Sequence, residues 1–207
     1  MSEAQDKPLL IVLSAPSGGG KTTLCKQLLA ANSNLARAVT CTTRPPRGLE
    51  RDGVDYYFLT KDSFERQVAA GEFIEHANVY GNLYGTLKSE VHEKLKSGKD
   101  VLLSVDVQGA ASVRSIAQKD SQLGRALVTV FLTPENAALL EQRLNFRGED
   151  SADVIQKRLA VARVEVAQWV DFDYLIYSTS VQEDLSRMQS VHDAEKMRRE
   201  RTRPPNY

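Results

Sequence analysis

Cysteine is scarce. Of 207 residues only Cys25 and Cys41 are cysteines. They form no C-x-x-C and have no histidine at metal-ligand spacing, which excludes a disulfide framework and a structural zinc site and predicts two reduced thiols. Histidine is rarer than chance clustering needs: His76, His92 and His192 are scattered and read as solvated or core side chains. There is no excess charge, with 27 basic residues against 27 acidic ones. That balance argues against a dedicated nucleic-acid coat. No apolar run approaches the roughly 18 residues of a membrane span. The polar start, Met1 to Lys7, lacks the basic, apolar and small-residue regions of a signal peptide. There is no internal repeat and no low-complexity tract. What remains is an ordinary globular chain, long enough for one domain with a smaller inserted lobe and expected in the cytoplasm.

What is present is alternation. Short apolar runs at Leu9–Ser14, Val101–Asp106, Ala126–Leu132 and Asp173–Tyr177 are each followed by a helical pattern. Runs of this kind suit buried parallel strands, so the expected fold is α/β, a parallel sheet covered by helices on both faces. The first helix is expected from Lys21 to Ala31. Thr133-Pro134 reads as an N-cap with proline at the first helical position. Ser151 reads as the cap of a long helix reaching about Trp169, with Val154, Leu159 and Val166 among its apolar positions. Val39 to Thr86 breaks the pattern with Pro45, Pro46, Gly48, Gly53, Gly81 and Gly85, a short aromatic strand at Tyr56–Phe58 and one helix near Asp62–Ala70. It is expected to be an inserted lobe of short antiparallel strands. The tail, Lys196 to Tyr207, is basic and reads as a fraying helix end with a floppy terminus.

The chemistry starts at Ala15-Pro16-Ser17-Gly18-Gly19-Gly20-Lys21-Thr22, followed by Thr23, between a strand and a helix. This is the P-loop pattern with alanine at the first glycine. Glycines without Cβ atoms let backbone N–H groups wrap a phosphate, and the helix N-terminus adds unpaired donors. Lys21 is expected to reach the β and γ phosphates and Thr22 to offer its hydroxyl to Mg²⁺. Asp106 ends a strand at the edge where open α/β sheets bind ligands, and is a further candidate for Mg²⁺, directly or through water. In the inserted lobe, Arg44 and Arg47 with two prolines between them form a stiff fork for a phosphate dianion, and Tyr56 and Tyr84 can add hydroxyl donors. Glu75 is an acid inside an apolar-aromatic strand, a carboxylate able to accept from the N1–H and 2-amino group of guanine.

These segments resemble the guanylate kinases: A-P-S-G-G-G-K-T-T, T-T-R-P-P-R, D-Y-Y-F, G-E-F-I-E-H-A, Y-G-N-L-Y-G-T, V-D-V-Q-G-A, R-L-N-F-R-G, Q-K-R-L and D-Y-L-I follow in order from Leu9 to Ile176. The resemblance implies a P-loop kinase of one domain (8–207), with a core at 8–38, 87–142 and 159–195, a small mixed or antiparallel GMP-binding lobe at 39–86, a helical lid at about 143–158 and the tail from 196. It implies ATP-dependent phosphorylation of GMP, and of dGMP, with Mg²⁺, and leaves oligomeric state open. Carried over, Arg44, Arg47, Tyr56 and Tyr84 hold the acceptor phosphate. Thr40, Glu75, Thr86 and Asp106 read guanine. Lys21, Arg47, Arg143, Arg147 and Arg158 act at the transferring phosphoryl group. Residues 15–23 with Ser178 and Thr179 hold ATP. Three departures stand out: Ala15, Ser104 where an acid is frequent in the family, and Ser178-Thr179 where Asn-Asp is frequent. Ser178 is expected to border the donor base and to discriminate ATP weakly. A kinase for another phosphate-bearing acceptor and a catalytically dead module are the rival readings. The presence of Lys21, Thr22, Arg44, Arg47, Arg147 and Arg158 argues against the second.

Overall fold

The computed structural model describes residues 7–146, 152–202 and 205. Five parallel strands form the main sheet: β1 (Leu10–Ser14), β2 (Leu35–Arg37), β7 (Asp100–Ser104), β8 (Leu127–Thr133) and β9 (Tyr174–Tyr177), in the order β2-β7-β1-β8-β9. β1 is fully buried, which is why its sequence shows no polar alternation. Leu9, Ile11 and Leu13 face one layer, with Leu24 and Leu28 of α1 (Lys21–Ala31) and Met188 of α8 (Val181–Lys196). Leu10 and Val12 face the other. There they meet Val91 and Leu95 of α3 (Lys88–Lys96), Ala110 and Val113 of α4 (Val107–Ala117), and Leu123 of α5 (Ser121–Ala126). Helices therefore cover both faces, as expected.

The second sheet has the order β4-β3-β6-β5, from β3 (Cys41–Thr42), β4 (Tyr57–Phe58), β5 (Phe73–Val79) and β6 (Asn82–Leu87). It is mixed, because β3 pairs parallel to β4 while β5 and β6 are antiparallel. A small core of Cys41, Phe64 and Phe73 ties it to α2 (Lys61–Ala69), whose N-cap Thr60 accepts from Ser63 N–H. Two-residue strands such as β4 are too short for a periodic signal, and β2 escaped the sequence reading for the same reason.

Two local expectations are corrected. Thr133 ends β8 rather than capping a helix: it is buried opposite Tyr177, and its carbonyl accepts from Ser178 N–H. The following helix, α6 (Ala137–Phe146), starts three residues past Pro134, where Asn136 Oδ1 accepts from Leu139 N–H. On α7 (Ala152–Val166) the buried stripe is Ile155, Leu159 and Ala162, packed on Leu140 and Leu144 of α6, whereas Val154 is 38% exposed. A 3₁₀ turn at Ala167–Asp171 finishes that segment. Ser151 lies outside the described residues.

The basic tail is tied down as far as Arg201. That guanidinium is buried, pairs with buried Glu195 and donates to the carbonyls of Arg125 and Leu127, while Lys7 N–H donates to the Arg201 carbonyl. The carbonyls at the end of α5 and the start of β8 supply a reason for this arginine that its basic neighbours in the sequence conceal. Cys25 and Cys41 are buried and unpaired with one another. Among the described residues no helix is long and apolar enough to cross a membrane.

Candidate active site

The loop after β1 turns through two left-handed glycines, Gly18 (φ 86°) and Gly20 (φ 99°). Any L side chain is strained there, and a Cβ at Gly18 would stand 2.9 Å from Leu144 of α6. Gly19 N–H closes the turn on the Pro16 carbonyl at 2.9 Å. Residues 15–23, Asp106 and Glu165 line one cavity of about 300 Å³, so the expected phosphate loop and the acid after β7 do come together. Lys21 leads α1 and its ammonium donates to the Val105 carbonyl at 2.6 Å. Burial pulls its pKa below the ordinary lysine value, with the charge of Asp106 among the groups that oppose the shift.

Asp106 has a structural task as well. It is the N-cap of α4, and Oδ1 accepts from Gly109 N–H at 2.7 Å. Its charge is felt at Lys21, Glu75 and Glu165, which places it between the phosphate loop and the second sheet. Glu165, in the last turn of α7, was invisible in the sequence, where it is one acid on a charged helix. Burial pushes its carboxyl up, and the Ser17 backbone N–H counters that shift.

Beside this cavity a smaller one, of about 110 Å³, is lined by Gly20, Thr23, Leu24, Arg143, Ser178, Thr179, Ser180, Val181 and Asp184. Arg143 donates to Ser178 Oγ (2.9 Å) and to the carbonyls of Ser178 (3.1 Å) and Thr179 (3.3 Å). Ser178 is 3% exposed and its hydroxyl donates to Asp184 at 2.6 Å. The hydroxyl expected to read a base is therefore engaged inward, between Arg143 and Asp184. Arg143 lines this pocket, and its guanidinium also stands beside Gly20 of the phosphate loop.

On the second sheet Arg44 lies buried over the Tyr56 ring, 4.8 Å from its centroid. Its guanidinium meets Glu50 through two hydrogen bonds of 2.7 Å. Glu50 also accepts from Arg47 N–H at 2.8 Å, and these bonds hold its carboxyl down to about 2. The Arg44 guanidinium is correspondingly raised, by Glu50 first and with help from Tyr84 and Tyr56. So Arg44, Tyr56 and Tyr84 converge, while the Arg47 side chain is exposed beside them. Glu50 was missed: nothing in R-G-L-E alone says that the chain turns back to place it.

Glu75 pairs across β5–β6 with Thr86. It is 8% exposed, and burial pushes its carboxyl above the usual carboxylate range, countered in part by Thr86 and Lys21. The Thr86 hydroxyl is fully buried and lies within reach of that carboxylate. Thr40 stands half-buried just before β3, its carbonyl accepting from Tyr57 N–H. Arg158 is half-buried on α7. Arg147 lies outside the described residues.

A phosphate loop at a sheet's carboxyl edge, joined through Asp106 to a lobe with a preset arginine and a buried acid, is a two-substrate arrangement. The guanylate kinase family matches residues 7–195. The chain belongs to the guanylate kinase family. It is similar to the guanylate kinase of Cereibacter sphaeroides, 40% identical over 193 residues covering 93% of this chain and 89% of that protein. The guanylate kinase of Novosphingobium aromaticivorans is 42% identical over 193 residues, 93% of this chain and 85% of that protein. The crystal structure of guanylate kinase from Anaplasma phagocytophilum superposes with a TM-score of 0.72 at 29% identity, over 95% of this chain and 90% of that one. The guanylate kinase match thus spans both sheets and the α6–α7 pair, as the family reading of the sequence requires.

Proposed function

We infer that the chain catalyses ATP + GMP → ADP + GDP, accepting dGMP as well, with ATP in the β1–α1 cradle and GMP on the second sheet. The observation that carries the acceptor assignment is the buried Glu75 carboxylate, paired across the strands with Thr86. An ionised carboxylate only accepts hydrogen bonds, and guanine presents two donors on one edge whereas adenine presents an acceptor there. Arg44, already oriented by Glu50, with Arg47, Tyr56 and Tyr84, holds the acceptor phosphate. Thr40 and Asp106 complete the base site.

On the donor side the loop amides and Lys21 neutralise the phosphates. Phosphoryl transfer needs chiefly positioning and charge compensation, and Lys21, Arg47 and Arg158, with Arg147, supply the positive side. Arg143 holds the donor-base pocket together with Ser178 and Thr179. The α6–α7 segment, about 143–158, acts as the lid that excludes water. The residues also fit Mg²⁺. Thr22 is exposed at the cradle, and Asp106 has one carboxylate oxygen beyond the one spent on Gly109. Among the described residues no cluster of three or more His, Cys, Asp or Glu is set to hold a metal alone. A cation carried in on phosphate oxygens would compensate charge on the transferring group.

The test is ADP release measured with GMP, AMP, UMP and sugar phosphates in turn, in wild type and Lys21→Ala. Turnover with GMP is expected to exceed that with AMP by roughly 10⁴-fold. Lys21→Ala is expected to cut kcat by on the order of 10² or more while leaving GMP affinity nearly unchanged. Equal turnover of AMP would overturn the acceptor assignment, and an unimpaired Lys21→Ala would overturn the donor assignment.

A further inference from the structure

We infer that Glu165 is a second carboxylate of the donor cradle, facing, with Asp106, the divalent cation that a nucleoside triphosphate carries. The inference rests on the reading of residues 15–23 as the triphosphate site. Ile155, Leu159 and Ala162 fix α7 against α6, and Glu165, three residues after Ala162, lines the same cavity as Lys21, Thr22 and Asp106. One oxygen, Oε2, is buried and has no hydrogen-bond partner. Leaving a carboxylate oxygen in that state is costly unless a ligand completes it.

The groups around it leave few other ways to satisfy that oxygen. The Ser17 N–H approaches the carboxylate but supplies a single donor. The Lys21 ammonium attracts the carboxylate through its charge, but its hydrogen bond goes to the Val105 carbonyl. Asp106 is a like charge that repels. Ser104, exposed at the end of β7, adds no charge on that side. Two carboxylates beside a polyanion repel it, and a hard cation that takes oxygen ligands, directly or through water, turns that repulsion into attraction.

The experiment separates a cation-facing charge from a strut for the loop. Glu165→Gln keeps an acceptor for Ser17 N–H and removes the charge. ATP affinity is measured without GMP, with Mg²⁺ and with EDTA, through the fluorescence of Trp169, the single tryptophan, four residues further along the chain. In wild type Mg²⁺ should tighten ATP binding. In Glu165→Gln the EDTA affinity should rise severalfold, because a like charge is gone, and the factor gained from Mg²⁺ should fall by about tenfold, the size typical of losing a group near a metal. Equal weakening with and without Mg²⁺ would make Glu165 a strut and overturn the inference, and so would two unchanged affinities. Glu165→Asp, which keeps the charge but withdraws it by one methylene, covers the case of a misfolded Gln variant: an unchanged Mg²⁺ factor there would also overturn it. GMP binding, measured separately, reports on the acceptor reading alone.

Discussion

Glu50 grips Arg44 at both terminal guanidinium nitrogens, 2.7 Å each, in a planar fork that leaves the Arg44 face stacked on Tyr56. The pair fixes the cation proposed to hold the acceptor phosphate, so on that reading part of the ordering cost of binding is met in folding. Glu50→Gln should therefore raise the KM for GMP by roughly tenfold, with a smaller change in the KM for ATP. The pH sign follows from the depressed carboxyl. Its stabilisation is present above the ordinary glutamate value and is lost as pH falls toward about 2. The melting-temperature gap between wild type and Glu50→Gln should accordingly be full at neutral pH and close in strong acid. A gap independent of pH would show that the ion pair is not its source.

Glu75 predicts the opposite acid behaviour. Its carboxyl is raised by burial, so it protonates at a higher pH than an ordinary glutamate and then loses acceptor capacity toward guanine. kcat/KM for GMP should fall on the acid side with a midpoint above 4.5, the ordinary value. Glu75→Gln should flatten that limb and narrow the GMP/AMP preference. Rate profiles for both nucleotides over the acid range check this.

Ser178 predicts a split between the substrates. Ser178→Ala removes the hydroxyl that links Arg143 to Asp184. One neutral or charge-assisted bond of this kind is worth about 1–3 kcal/mol. ATP should bind about tenfold more weakly, and GMP should bind as before. Calorimetric titration with each nucleotide decides it, and an unaltered ATP affinity would mean that the two carbonyl contacts of Arg143 suffice.

His192 reports on the far end of the sheet. Its Nε2 lies 2.9 Å from Asp100, which also accepts from Lys196 (2.6 Å) and from Leu9 N–H (2.7 Å), and Nδ1 faces Asp193. Asp100 is the main group raising the histidine pKa, against the effects of burial and Lys196. Stability from this contact is complete below the unfolded value near 6.5 and is lost as pH rises through the higher folded value. His192→Gln should thus cost more melting temperature at pH 5.5 than at pH 9. An equal cost at both would place the contribution in packing instead.

Long buried elements and local motifs were legible in the sequence. β1, α1 and the glycine loop could be read because burial on both faces, helical spacing and turn chemistry are written within about twenty residues. What escaped has no periodic signature. Glu165 meets Ser17 and Lys21 only when the chain folds back, while Glu50 and Asp184 bond residues a few positions earlier through irregular turns that spacing does not announce. Ser178 reads as a base contact from its position after β9; the bond of its hydroxyl to Asp184, one helical turn into α8, is not announced by any local pattern. The helix start at Thr133-Pro134 was misplaced for a related reason: a threonine followed by proline has the same local signature at a cap and at the end of a strand, and only the pairing with Tyr177 tells them apart.

The meeting of Lys7 with Glu200 and Arg201 has a consequence for synthesis. Lys7 and Glu200, 193 residues apart, are hydrogen-bonded, and Arg201 donates to carbonyls at the end of α5 and the start of β8. The central strand β1 is made early, its neighbours β7 and β8 much later, and the arginine at the bottom of the sheet later still. A chain ordered this way must close loops spanning most of the distance from Lys7 to Arg201 before its central sheet is complete. A nascent chain stalled a few residues before Arg201 should carry an unclosed sheet and remain open to proteolysis.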